Sequence, residues 1–263
     1  MKINTTVRIG LGVLAALCLQ ISGNLYGASY LYQDDFSANA GALNGRATAS
    51  GFGNWTAGGA FQVGSDRITV NSNTPDPYHT ASFLLPALGA TDILSLSVTV
   101  RPSGAGFMGI GFTSGPGQYL INSGYAWTYY EGLGAGNPNI QVFEGVGTGN
   151  QIYVATLANP ALDFNASLAT TFEYTYSAAA KTLSLSAVNG SKSSTLLNNL
   201  DVSTLPEGSF NNFALQFQVQ ELNTSSNPGY VDRLSVSIIP EPSTFSMLLC
   251  GLGAMTAIYR RRR

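Results

Sequence analysis

The chain has 263 residues, 44% of them apolar and only 10% charged, against roughly a quarter charged in ordinary soluble domains. Its formal charge of −2 hides a division: Lys2 and Arg8 stand near one end and Arg260–Arg263 at the other, while the body between them carries six basic residues against thirteen acids. An acidic body excludes nucleic acid as a partner, because phosphate binding needs clustered Lys and Arg. Cys18 and Cys250 both lie in apolar end runs, which excludes a disulfide framework or a cysteine metal site in the body.

Residues 1–29 have the layout of a signal peptide helix: Lys2 and Arg8, the apolar run Ile9–Leu19, then small residues. Cleavage is expected near Gly27-Ala28-Ser29, with Ser22-Gly23 as the alternative. Read instead as an uncleaved anchor, the run falls short of the ~20 apolar residues a spanning helix needs. Leu17 stands before Cys18, where a lipid-attachment signal has a small side chain.

From residue 30 to 239 the apolar pattern has a period of two, the mark of strands with one wet face. Leu94, Leu96, Val98 and Val100 alternate with Ser95, Ser97 and Thr99, and Phe172, Tyr174 and Tyr176 with Glu173 and Thr175. Leu183, Leu185 and Ala187 alternate with serines, while Phe213, Leu215, Phe217 and Val219 oppose Gln216, Gln218 and Gln220. Ser177–Lys181 reads as a hairpin loop and Val188–Ser191 as the next turn. Many short antiparallel strands without an internal repeat predict one all-β domain, a two-sheet antiparallel β-sandwich or jelly roll.

Three stretches could carry chemistry. In Ser123–Gly132, Tyr125, Trp127 and Tyr129 fall on one strand face; exposed beside Glu131 and Asn137 they would form a glycan platform, since sugars lay C–H faces on rings and bond to carboxylates and amides. Buried, the same row would be core. Asn73–Thr80 reads as an extended, proline-bearing loop that offers Asp76, Tyr78 and the lone His79 to a ligand, and without cysteines one histidine makes no ordinary zinc site. Asp34 and Asp35 on the first strand and Asp232 on the last would form a structural calcium clip if the terminal strands adjoin, because Ca²⁺ takes six to eight oxygens. The other reading is solvated carboxylates, one of them paired with Arg233.

Residues 240–263 combine Pro240-Glu241-Pro242, the apolar Thr244–Tyr259 and Arg260, Arg261, Arg262 and Arg263. As a transmembrane helix the apolar run would cover about 24 Å at ~1.5 Å per residue, enough for a thin bilayer. The arginines would hold its end in the cytoplasm by the positive-inside rule, and the prolines keep the preceding chain extended. This ordered set closely resembles the PEP-CTERM sorting signal of Gram-negative bacteria, with Ile239 where valine is commoner. The resemblance implies export through the secretion machinery, a transient stay in the inner membrane, recognition by an exosortase, removal of the helix and release to the envelope or extracellular matrix, often where exopolysaccharide is made. An ordinary C-terminal anchor would leave the protein membrane-bound.

The body resembles concanavalin-like and laminin-G-like jelly rolls in Leu31–Ser37, Phe107–Thr113, Thr171–Ala187 and Gly229–Ile238, which are packing patterns. Hydrolases of that class carry a Glu-x-Asp-x-Glu strand, which this sequence lacks; Glu131 and Glu144 stand isolated. The expectation is a non-catalytic exported protein that binds glycan or packs in a biofilm matrix of exopolysaccharide. The alternative is a polysaccharide-active lyase or hydrolase.

Overall fold

The computed structural model describes residues 30–70, 78–102, 106–131, 139–145, 151–156, 168–219 and 229–240. They form two antiparallel sheets. The nine-stranded sheet runs in the order β14 (Lys192–Asp201), β13 (Thr182–Asn189), β12 (Thr170–Ser177), β7 (Asp92–Pro102), β16 (Gly229–Pro240), β5 (Ile68–Val70), β4 (Phe61–Val63) and β2 (Gly41–Ala42), with β1 (Tyr30–Asp34) also paired to β16. The seven-stranded sheet is ordered β11 (Gln151–Thr156), β10 (Asn139–Phe143), β9 (Gly124–Glu131), β8 (Gly106–Thr113), β15 (Asn212–Val219), β6 (Tyr78–Leu84) and β3 (Thr56–Ala57). The two-sheet antiparallel fold predicted from the alternating rows is therefore present.

Alternation decides the layering. Leu94, Leu96, Val98 and Val100 of β7 are buried against the other sheet while Ser95, Ser97 and Thr99 stay half-exposed, and Leu183, Leu185 and Ala187 of β13 repeat the pattern. Burying each large apolar side chain contributes roughly 1.5–3 kcal/mol. Polar bolts cross this core. The Tyr174 hydroxyl on β12 bonds to Thr128 of β9 and donates to the Ile110 carbonyl of β8 at 3.1 Å, while Tyr130 of β9 reaches back to Thr170 of β12 at 2.9 Å. Burial raises the pKa of both tyrosines above the usual range, so both stay neutral and able to donate.

The hairpin loops are where the sequence places them. Ser177 pairs with Thr182 across the first, and Asn189 with Lys192 across the second, where Gly190 takes φ +60°; a side chain there would be strained.

Register also fixes the two ends of the sandwich. Tyr30 lies opposite Ile238, and Pro240 opposite Asp92. The chain before residue 30 and the chain after residue 240 thus leave from neighbouring strands at one end. Both the expected signal helix and the expected transmembrane helix lie outside the described residues, among which no helix is long and apolar enough to cross a membrane.

Candidate functional site

The outward face of the seven-stranded sheet departs from simple alternation. On β8, Met108, Ile110 and Phe112 enter the main core, which turns Phe107, Gly109 and Gly111 outward. Two bare positions make a trough, and large side chains lie in it. A Cβ on Gly111 would come 2.5 Å from the Trp127 Cβ, and one on Gly109 would come 3.1 Å from Leu120 Cδ1.

Trp127 is fully buried there, stacked on Phe143 of β10 with centroids 4.4 Å apart. It packs with Phe107, Leu120 and Ala214, and with the half-buried Tyr78 and Ile121. The cover is residues 114–123, which end in a single helical turn, α1 (Leu120–Ser123). Thr80 donates to the Gly117 carbonyl at 3.3 Å, Gly117 N–H donates to Ser82 Oγ at 2.9 Å, and Ile121 N–H donates to Gln216 Oε1 at 3.1 Å. Gln216 is consequently buried, which corrects its expected place on a wet face. Its Nε2 and the Trp127 Nε1 have no hydrogen-bond partner among the described residues.

The expected aromatic row is corrected in two ways. Ile110 pairs with Thr128 but Phe112 with Tyr125, so Ala126 and Trp127 share the space opposite Gly111 in a β-bulge, with Ala126 at φ +47°. One extra residue reverses the facing of everything before it; Tyr125 is half-buried and out of phase with Trp127. Trp127 offers no ring face to solvent, because α1 and Phe143 enclose it. Tyr129 and Glu131 continue β9 opposite Gly109 and Phe107. Asn137 and Asp76 lie outside the described residues.

Tyr78 and His79 belong to strand β6 instead of the expected loop, and alternation separates them. His79 is buried opposite Phe217, whereas Tyr78 lies opposite the half-exposed Gln218. Tyr78 meets Tyr119 edge-to-face at 5.9 Å and lies 6.4 Å from Phe107. Tyr119 is 37% exposed. The structure therefore joins Tyr78 and Trp127, distant in sequence, in one cluster whose open rim is Tyr119. The sequence reading missed Tyr119, Leu120 and Gln216; the alternating glycines of β8 were the available signal.

The three acids of the expected calcium clip each have another partner. Asp34 receives Arg46 Nε at 3.0 Å, Arg46 Nη2 at 3.1 Å and the Phe36 N–H at 2.7 Å. Asp35 accepts from the Ser37 hydroxyl at 2.7 Å, a bond that lowers its pKa. Asp232 occupies a bulge between Val231 and Arg233 and faces Arg67 at 4.0 Å. Burial raises its pKa, and Arg67 and Arg101 pull it back. Among the described residues no group of three or more His, Cys, Asp or Glu side chains is placed to hold a metal, so these acids do not fit a calcium site. Pro240 closes β16; Glu241, Pro242 and Arg260–Arg263 lie outside the described residues.

No curated protein sequence matches the chain. Its fold is similar to that of a Shewanella oneidensis MR-1 protein of unknown function, at 11% identity and a TM-score of 0.51, over 81% of this chain and 87% of that one. Weaker similarities are to the carbohydrate recognition domain of Emp47p, with 14% identity, TM-score 0.49 and coverage of 80% and 96%, and to peanut lectin, with 10% identity, TM-score 0.47 and coverage of 82% and 100%. Residues 239–263 match the PEP-CTERM protein-sorting motif. The chain therefore carries, beginning within the final residues of β16, a signal that implies export and transient membrane anchoring before processing.

Proposed function

We propose that this is an exported matrix protein, freed from the inner membrane by an exosortase, whose sandwich binds extracellular polysaccharide without transforming it. The observation that carries the reading is the PEP-CTERM motif joined directly to β16, the strand that pairs with β1, β5 and β7. Cleavage after Pro240-Glu241-Pro242 would leave that strand, and hence the sandwich, whole.

The binding surface is the rim of the outward face of the seven-stranded sheet. Tyr119 and Tyr78 supply ring surface, and Gln218 and Thr80, both half-exposed, supply amide and hydroxyl groups beside them. Pyranose rings fit such a rim because their axial C–H groups stack on aromatic faces while their hydroxyls bond at the edge. Trp127, Phe143 and Leu120 serve underneath as the rigid base.

Affinity electrophoresis in gels containing the producer's own exopolysaccharide tests this, together with an assay for new reducing or unsaturated ends. The expected result is retarded migration and no new ends. Free migration would contradict the binding role, and new ends would favour the lyase or hydrolase alternative.

A further inference from the structure

Among the described residues, three of the five exposed large hydrophobic side chains lie at the end of the sandwich from which both chain ends leave. Leu31 on β1, Leu84 on β6 and Ile239 on β16 are exposed by 54%, 54% and 43%. Leu31 lies opposite Ser237, Ile239 opposite Ile93 of β7, and Leu84 opposite Asn212 of β15, all at this same end. Further along, the outward row of β7 and β16 is polar: Ser95, Ser97 and Thr99 beside Ser237, Ser235 and Arg233, and then Arg101 beside Tyr230. The row turns aliphatic at its last pair, Ile93 and Ile239.

A cavity of about 770 Å³ opens between the sheets here. Its walls come from the loops after β6, β12 and β14, with Pro86, Leu88, Val202, Leu205, Pro206 and Phe210 among them. Phe210 stacks on Tyr176 at 4.2 Å. Among the described residues the charges at the cavity are Lys181 and Glu207, with Asp92 and Asp201 nearby, so acids outnumber bases there.

We infer that this end is a membrane-docking surface, on which the sandwich rests against the bilayer interface while its C-terminal segment is still attached. Leu31, Leu84 and Ile239 enter the boundary between headgroups and acyl chains, a depth that scattered apolar side chains of interfacial proteins reach. The partner is the lipid itself. Because the end is acidic, docking rests on apolar burial and needs neither anionic lipid nor low salt. Removal of the sorting segment then leaves a weak, reversible contact from which the protein escapes.

Position 84 gives the test, since it lies on the sheet that does not lead into the tail. With Cys18 and Cys250, the chain's only thiols, replaced by serine, the full chain is given a single cysteine by Leu84→Cys or, at the opposite end, by Leu168→Cys; Leu168 is 44% exposed. Each is labelled with an environment-sensitive fluorophore and reconstituted in phosphatidylcholine vesicles, and the fraction that floats with the vesicles is measured. Lipids brominated near the acyl carbonyl should quench the label at 84 severalfold more than the label at 168, at both 0.1 M and ~1 M salt. Equal quenching at the two positions overturns the proposal, as does loss at high salt. A label that stays in water in these vesicles, which hold no protein besides the labelled chain, also overturns it, and would assign the surface to the processing enzyme instead.

Discussion

The outward faces of the two sheets are built on opposite plans. On the nine-stranded sheet, the positions between buried apolar residues are short and polar: Thr99 meets Thr171 at 2.9 Å, and Ser186 donates to Glu173 at 3.2 Å. That face is finished by water. On the seven-stranded sheet the equivalent positions on β8 are Phe107, Gly109 and Gly111, and the face is finished by the chain's own segment 114–123. Glycine between hydrophobes, as at Gly109 and Gly111, marks a face with something lying on it.

The largest effect that would break this contrast is Trp127→Ala. Emptying the trough should cost about 3–5 kcal/mol, read by urea denaturation. A loss under about 1 kcal/mol would mean that the cover is not packed on the sheet. Gly111→Ala should come next, at roughly 1–3 kcal/mol by overpacking, since its Cβ would press on the Trp127 backbone. No change in the denaturation midpoint would show that Trp127 can lift away freely.

A smaller, pH-dependent effect belongs to Asp232 in the nine-stranded sheet. Burial raises its pKa, so the folded state holds this proton more tightly than the unfolded chain does. Its contribution to stability is therefore complete below the ordinary carboxylate range and is lost as pH rises through the raised value. Asp232→Asn should flatten that decline, by less than about 1 kcal/mol because the carboxylate is partly solvated and faces Arg67. Melting temperatures measured across that window give the answer, and parallel curves for the two proteins would refute it.

Much of the fold was legible because rows such as Leu94–Val100 and Leu183–Ala187 carry period two without interruption. The site was less so. An inserted residue at Ala126 cannot be seen in a sequence, yet it takes Tyr125 out of phase with Trp127. Gln216 reads as solvated because glutamine usually is, but here it caps the Ile121 amide under the cover. Asp34 and Asp35 read as metal ligands because the residues that engage them, Arg46 and Ser37, are chosen by local chain reversals that alternation does not encode. The Tyr78–Tyr119 contact joins two elements 41 positions apart, and nothing local announces it.

The central claim is that polysaccharide binds the seven-stranded face and not the other. Retention of wild type, Tyr119→Ala and Ser97→Ala in exopolysaccharide gels measures it most directly, since both substitutions lie on outward faces and should leave the fold intact. Tyr119→Ala should weaken retention about tenfold, equivalent to ~1.4 kcal/mol, while Ser97→Ala migrates as wild type. Equal retention of all three proteins, or loss only with Ser97→Ala, would contradict the account.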